Sequence, residues 1–286
     1  MKQHATFLVT CPDKPGIVAT VTGFLYNHGV NILHLDQHVA EADGKDGAAT
    51  FFMRVAFEAP PVDGLRSALE AAFDAVVAKR FGMRWSLAWA ADVPRVALLV
   101  SKHDHAMMEL LWRWRRNELP CEVTAVISNH EDARKAAHDF ALPFHLVSSD
   151  DKHEAEALLR EQLEGVDLIV LARYMQILSA QFVADFPNRI INIHHSFLPA
   201  FVGARPYHQA HQRGVKLIGA TAHYVTAELD QGPIIEQDVI RVSHRYSPSE
   251  LVALGRDIER QVLARAVRWH LEQRVIVHDG KTVVFV

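Results

Sequence analysis

The run Asn192-Ile193-His194-His195-Ser196 follows the apolar stretch Arg189-Ile190-Ile191 with no loop residue between them. An amide and two imidazoles therefore stand where a buried strand stops, and such groups could bind a polar ligand by hydrogen bonds or move a proton. In an extended strand, alternation puts Asn192 and His194 on one face and His195 on the other, so Asn192 and His194 form the natural pair. A carboxylate, Asp230, lies further on in Leu229-Asp230-Gln231-Gly232-Pro233. Each residue also has an ordinary structural use. His194 reads equally as a satisfied core histidine, Asn192 as a strand-end cap, and Asp230 as the opening of an Asp-x-Gly-Pro turn. His208 and His211 have the i, i+3 spacing of a metal pair, but no third acidic or histidine ligand stands near them, so no metal is expected. Trp112-Arg113-Trp114-Arg115-Arg116 reads as a core stripe with a solvated face at a helix end, not as a nucleic-acid patch.

The elements that must hold these residues are short apolar runs alternating with helical patterns: Val96 to Val100, Val123 to Ile127, Leu168 to Leu171 and Ile190 to Ile193. Runs buried on both faces imply a mainly parallel sheet covered by helices, a Rossmann-like α/β fold. Ligands of such sheets sit at the carboxyl ends of the strands, where Asn192 and His194 fall. Gly219 to Thr226 and Ile234 to Val242 read as further strands, and Pro248 to Gln273 as a long amphipathic helix.

The first ninety residues have a different order. Ala5 to Thr10 reads as a strand, Pro15 to Gly29 as a helix with Pro near its start and Gly at its end, and Asn31 to Val39 and Ala49 to Phe57 as strands around the turn-rich Asp43 to Gly47. An amphipathic Val62 to Lys79 and an alternating Met83 to Ala90 complete a ferredoxin-like βαββαβ unit. The expected division is residues 1–90 and 91–286, joined through Ala91-Asp92-Val93-Pro94.

A chain of 286 residues with 49% hydrophobic composition fills real cores, which excludes a disordered protein. Its 30 basic and 34 acidic residues leave no footprint for nucleic acid or an anionic membrane. The two cysteines, Cys11 and Cys121, form no disulfide or metal framework, and neither a signal peptide nor a membrane-length apolar run is found. A cytoplasmic protein is expected.

Two resemblances sharpen these expectations. Cys11-Pro12-Asp13-Lys14-Pro15-Gly16-Ile17-Val18, with Asn27-His28-Gly29-Val30-Asn31-Ile32 leading into the second strand, resembles the ACT domain, an amino-acid-sensing and dimerising module. That implies a homo-oligomer and a small amino-acid effector such as methionine or glycine at Asp13, Pro15, Gly16 and Ile17. Gly16 would allow close approach, and free amides at the helix start suit a carboxylate. Capping of that helix by Asp13 remains the plainer reading.

Asn192 to Pro199, followed by His223-Tyr224-Val225-Thr226 and Leu229 to Pro233, resembles the signature of the folate-dependent formyltransferase superfamily. The resemblance implies a catalytic trio of Asn192, His194 and Asp230. It also implies a folate pocket that involves Met175, Gln176 and Leu178 of Leu171 to Ser179, together with Gly203, His223, Thr226 and Ala227. Attack on the formyl carbon of 10-formyltetrahydrofolate creates an oxyanion that Asn192 and His194 could stabilise. Asp230 would favour the protonated imidazole and orient the nucleophile. The folate is the substrate, and no cofactor is expected.

The acceptor distinguishes the branches. Glycinamide ribonucleotide enzymes carry a glycine-rich phosphate turn after the first strand of this domain, whereas Ser101-Lys102-His103-Asp104-His105 has no glycine. The tRNA enzyme carries a further basic domain that this chain lacks. The ACT-like segment, His195 where the glycinamide enzyme has proline, and the run Phe197 to Tyr207 resemble the hydrolytic, deformylase branch. Hydrolysis to tetrahydrofolate and formate is expected, which would balance one-carbon pools and feed purine biosynthesis. Formyl transfer to an amine and a non-catalytic amino-acid or folate sensor remain the alternatives.

Overall fold

Alternation of apolar residues builds the N-terminal sheet. β1 (Gln3–Pro12) turns Ala5, Phe7, Val9 and Cys11 to one face, where they meet Phe51, Met53, Val55, Phe57 and Ala59. The structure is a computed structural model that describes residues 2–41, 48–62, 64–199 and 206–286, so the turn expected at 43–47 and the expected folate contact Gly203 lie outside the described residues. With β2 (Asn31–Ala40), β3 (Thr50–Ala59) and β4 (Arg84–Trp89), β1 forms an antiparallel sheet of order β2-β3-β1-β4. Helix Ile17–Asn27 lays Ile17, Val21, Phe24 and Leu25 on this sheet at helical spacing. The second helix runs from Leu65 to Phe73 and continues through a π-turn at Asp74–Ala78 to Phe81. The βαββαβ order is the one expected, and burying each large apolar side chain contributes roughly 2 kcal/mol.

The start of the first helix differs from expectation. Asp13 does not cap it: the N-cap is Gly16, with φ +91° and no side-chain hydrogen bond, and Pro15 stays outside. A Cβ at Gly16 would meet open space, so the left-handed backbone, not close approach, is what calls for glycine there.

The second sheet has the order β11-β10-β9-β8-β5-β6-β7. Its strands are β5 (Arg95–Val100), β6 (Glu122–Ser128), β7 (Phe144–Leu146), β8 (Leu168–Leu171), β9 (Ile190–His194), β10 (Leu217–Tyr224) and β11 (Ile234–Arg241). Pairing is parallel from β7 to β9 and antiparallel for β10 and β11, which makes the sheet mainly parallel. Because β5 has β6 on one side and β8 on the other, the strand order reverses there, and a crevice opens at the carboxyl ends of these strands.

Helix Pro248–Leu271 covers this sheet. It begins with a capping box in which Ser247 and Glu250 satisfy each other's backbone N–H, and Pro248 occupies the first turn. Its buried stripe includes Leu251, Ile258, Val262, Leu263 and Val267, and within that stripe stands one carboxylate, Glu259. Trp112 departs from the expected core stripe: it is half exposed, edge-on to Phe140. The chain ends in a hairpin, β12 (Val275–His278) and β13 (Lys281–Val284). Two compact units result, residues 1–93 with 273–276 and 283–286, and residues 94–272 with 277–282. Ile276 and Phe285 pack on Leu8 and Phe52 in the first. No described helix is long and apolar enough to cross a membrane.

Candidate active site

β9 delivers the first two polar groups and β10 fixes them. In the antiparallel register Asn192 faces His223 and His194 faces Thr221. Nδ2 of Asn192 lies 3.3 Å from Nε2 of His223. The other ring nitrogen of His223, Nδ1, lies 2.9 Å from the carbonyl of Tyr224, which can only accept. His223 therefore carries its proton on Nδ1 and offers Nε2 as an acceptor to Asn192. One amide N–H of Asn192 is thus used internally, and the second is left for a ligand.

Thr221, fully buried, ties down the turn that follows β9. Its hydroxyl donates to the carbonyl of Ser196 (2.9 Å) and accepts from the backbone N–H of Leu198 (3.0 Å). Gln237 of β11 donates to both the Thr221 hydroxyl (2.9 Å) and the Leu198 carbonyl (3.1 Å). Such a network fixes the direction of the two histidines.

The loop after β10 brings in the carboxylate. Asp230 adopts φ +57°, a left-handed conformation that aspartate tolerates. A Cβ on Gly232 would fall 1.7 Å from the Tyr224 carbonyl, so only glycine lets the loop fold this closely onto the end of β10. Oδ2 of Asp230 reaches within 3.2 Å of His194 Nδ1, and Oδ1 lies 3.7 Å from His223 Nε2. Hydrogen bonding from His194 holds the Asp230 carboxyl far below the usual carboxylate range, against the opposing effect of burial. The group is a carboxylate at any working pH. Nε2 of His194 is buried and has no hydrogen-bond partner.

These groups open onto one cavity of about 280 Å³. Asn192, His194, Asp230, Met175, Gln176, Leu178, His223, Thr226 and Ala227 all line it, so every described residue expected at the folate site is brought together there. Asp13, Pro15, Gly16 and Ile17 belong to the N-terminal unit, at the turn from β1 into its first helix. Apolar walls come from Leu171, Ile193, Val225 and Leu229. Strict alternation fails at one place. β9 ends at His194, so His195 is no longer constrained to the opposite face and lines the cavity too. Burial, aided by the charge of Arg173, lowers its pKa to about 4, so His195 is neutral.

The segment after β8 forms the facing wall without regular structure. Arg173 and Met175 adopt φ +68° and +47°, and for residues with side chains each such turn costs roughly 1–2 kcal/mol. Neighbouring hydrogen bonds hold it: Ala172 N–H donates to Leu99 (2.8 Å) and Ser101 N–H to Arg173 (3.2 Å). Arg173 itself lines the cavity, and sequence reasoning did not single it out. Its Nε and Nη1 are buried without a hydrogen-bond partner, and Oε2 of Glu259 lies 3.6 Å from Nε. The available signal was a lone cation at the end of the apolar run Leu168 to Ala172. Among the described residues no group of three histidine, cysteine, aspartate or glutamate side chains could hold a metal ion.

The site can polarise and protonate a carbonyl-like group within an apolar wall, with two aimed donors and one fixed carboxylate. Comparison with known proteins identifies the family. Residues 94–267 match the formyl transferase family and residues 5–74 the ACT domain. A formyltetrahydrofolate deformylase of Bacillus subtilis (strain 168) is 54% identical over 282 residues, covering 97% of this chain and 92% of that protein. The crystal structure of a formyltetrahydrofolate deformylase from Pseudomonas syringae pv. tomato superposes with a TM-score of 0.94 at 46% identity, covering 100% of this chain and 95% of the other. Glycinamide ribonucleotide transformylase 1 from Symbiobacterium toebii reaches only 0.65 at 30% identity and covers 68% of this chain and 95% of its own.

Proposed function

This chain belongs to the formyl transferase family and, within it, to the formyltetrahydrofolate deformylases; from that premise we propose that Asn192, His194 and Asp230 carry its hydrolysis of 10-formyltetrahydrofolate to tetrahydrofolate and formate. The observation that supports these roles is the state of His194: Nδ1 is engaged by Asp230, while Nε2 is buried and unpartnered beside the cavity.

Water adds to the formyl carbon, and the carbonyl oxygen becomes an oxyanion. The spare N–H of Asn192 and Nε2–H of His194 receive that charge as donors already in place, in apolar surroundings where such bonds are strong. Asp230 keeps the imidazole oriented, stabilises its protonated form and accepts or directs the proton of the water. The bond from carbon to N10 then breaks, N10 gains a proton from His194 directly or through water, and formate leaves. We infer that no cofactor or metal takes part, because these three side chains supply both the oxyanion donors and the base.

Met175, Gln176, Leu178, Thr226 and Ala227 are assigned to binding the folate, with His223 acting through Asn192. The ACT domain is assigned a small amino-acid effector, methionine or glycine, in a cytoplasmic homo-oligomer that balances one-carbon pools and supplies formate for purine biosynthesis. The direct test is formate release from purified protein given 10-formyltetrahydrofolate and no amine. Stoichiometric formate supports hydrolysis, and formate that appears only with an added amine overturns it.

A further inference from the structure

Beside the trio stands a buried ionic cluster that hydrolysis as described does not use. Its centre is Glu259, fully buried on helix Pro248–Leu271. One carboxylate oxygen accepts from the hydroxyl of Tyr207 (2.7 Å), and the other from Nε2 of His105 (2.8 Å) while lying 3.6 Å from Nε of Arg173. Burial alone would raise the Glu259 carboxyl, but the His105 hydrogen bond, the Arg173 charge and the Tyr207 hydroxyl outweigh it and hold the group below its ordinary value. Tyr207 is seated as well as bonded. One helical turn before Glu259, a Cβ on Gly255 would come 2.1 Å from the Tyr207 ring, so the glycine is the slot into which the ring fits. On its other side the Tyr207 ring lies 6.2 Å from the ring of His195, which in turn lies 5.3 Å from His194.

The cluster therefore reaches the reacting centre by two routes, through His195 and through Arg173, both of which line the cavity. Arg173 gets there at a cost, holding φ +68° and two buried N–H groups without partners. A strained, under-bonded cation kept beside a catalytic histidine is the pattern of a residue retained for function.

We propose that Arg173 and Tyr207, joined through Glu259, are the acceptor-selecting element of this enzyme: Arg173 in the cavity wall, and Tyr207 from behind the wall residue His195, keep closed the flank of the trio that an amine nucleophile would need, so that only water reaches the formyl carbon. This rests on hydrolysis as the activity. A primary amine differs from water in bulk and in carrying a substituent that must be housed beside the formyl carbon. The guanidinium takes up that space, the phenol ring backs His195 in it, and the guanidinium repels any amine that is protonated. Arg173 and Tyr207 are selecting residues, distinct from the groups that perform the chemistry.

Removal of either should convert part of the hydrolase into a transferase. In the converted reaction the amine nitrogen bonds to the formyl carbon, the bond to N10 breaks, and the proton lost by the amine ends on N10. The experiment measures formate and N-formylglycinamide from 10-formyltetrahydrofolate in the presence of excess glycinamide, for wild type, Arg173→Gly, Tyr207→Ala and Tyr207→Phe. Arg173→Gly relieves a positive φ and so preserves the fold. The expected result is formate alone from wild type, a rise of about tenfold or more in the N-formyl product for Arg173→Gly and Tyr207→Ala, and little change for Tyr207→Phe, which keeps the ring. If Tyr207→Ala fails to fold, Gly255→Ala, whose methyl collides with the ring, replaces it. Formate as the sole product of the folded variants at every glycinamide concentration overturns the proposal. Absence of formate from wild type would instead overturn the assignment of hydrolysis, so the two failures are distinct.

Discussion

Glu156, buried on helix Lys152–Gln162, accepts two hydrogen bonds from Ser179, one from its backbone N–H (2.6 Å) and one from its hydroxyl (2.5 Å). Ser179 also caps helix Ala180–Asp185, and the irregular wall of the cavity ends at this residue. Glu156 thus pins the far end of a segment whose near end is held by Leu99 and Ser101. Hydrogen bonds to a charged acceptor contribute about 1.5–3 kcal/mol, enough to hold the strained backbone at Arg173 and Met175. Glu156→Gln keeps one acceptor and loses the charge, so KM for the folate should rise by about tenfold while kcat changes little. Steady-state kinetics would show this, and an equal fall in kcat with constant KM would move Glu156 into the chemical step.

Asp230→Asn keeps a side chain that fits the left-handed turn and loses the charge beside His194. Turnover should fall by about two to three decades, corresponding to roughly 3–4 kcal/mol of electrostatic stabilisation. Folate binding, followed by fluorescence or calorimetry, should survive. Formate release near the wild-type rate would remove Asp230 from the mechanism.

Much of this fold was legible because its strands announce themselves in two ways. β1 and β3 alternate, whereas Val96 to Val100 of β5, β8 and the start of β9 are continuous apolar runs, and those patterns distinguish a sheet with one solvated face from a parallel sheet buried on both faces. The meeting of Asn192, His194 and Asp230 was legible because they sit at strand ends and turns, where polar residues interrupt such patterns. The three-residue β7 and the π-turn at Asp74–Ala78 carry no periodic signal, being shorter than any period that could be counted. His195 was misplaced by extending a strand one residue too far. The Glu259 cluster was illegible for a different reason. Arg173, Tyr207 and His105 come from separate segments, and nothing local at Glu259 marks a carboxylate in an amphipathic helix as buried.

Exhaustive chelation should leave turnover unchanged. The spacing of His208 and His211 is that of a metal pair, and helix Pro206–Arg213 does carry both, yet no third ligand joins them among the described residues. Replacing both by alanine should cost far less than His194→Ala. Loss of activity on chelation with recovery on adding zinc would contradict this.

Acid should weaken the second unit through its buried neutral histidines. Burial lowers His270, which pairs with the Tyr224 hydroxyl at 2.7 Å, and His195, which also feels Arg173, from 6.5 to about 4. Between those values the unfolded chain binds more protons than the folded one, so stability is full above about pH 6.5 and falls as pH drops toward 4. The loss is at most about 3 kcal/mol for each histidine. His270→Gln keeps an acceptor for Tyr224 and cannot titrate. Denaturant midpoints compared at about pH 7 and pH 5 should therefore fall less in the variant than in wild type. Parallel losses in the two proteins would exclude His270 as a source.

The ACT unit should make turnover respond to a small amino acid. Backbone amides at the start of helix Ile17–Asn27 suit a carboxylate, and the conformation that presents them depends on Gly16 at φ +91°. Valine is strongly disfavoured at such a backbone, and because a Cβ there meets no neighbour, Gly16→Val should distort the loop without disturbing the core beneath it. Coupling between effector and active sites is typically about 1–3 kcal/mol, so methionine or glycine should change formate release several-fold. The variant should lose that response and keep its unliganded rate, since Gly16 belongs to the other unit from the trio. Calorimetry and turnover, measured together on wild type and variant, decide the matter: an effector that binds and acts equally on both would place regulation elsewhere, and no binding to wild type would remove it.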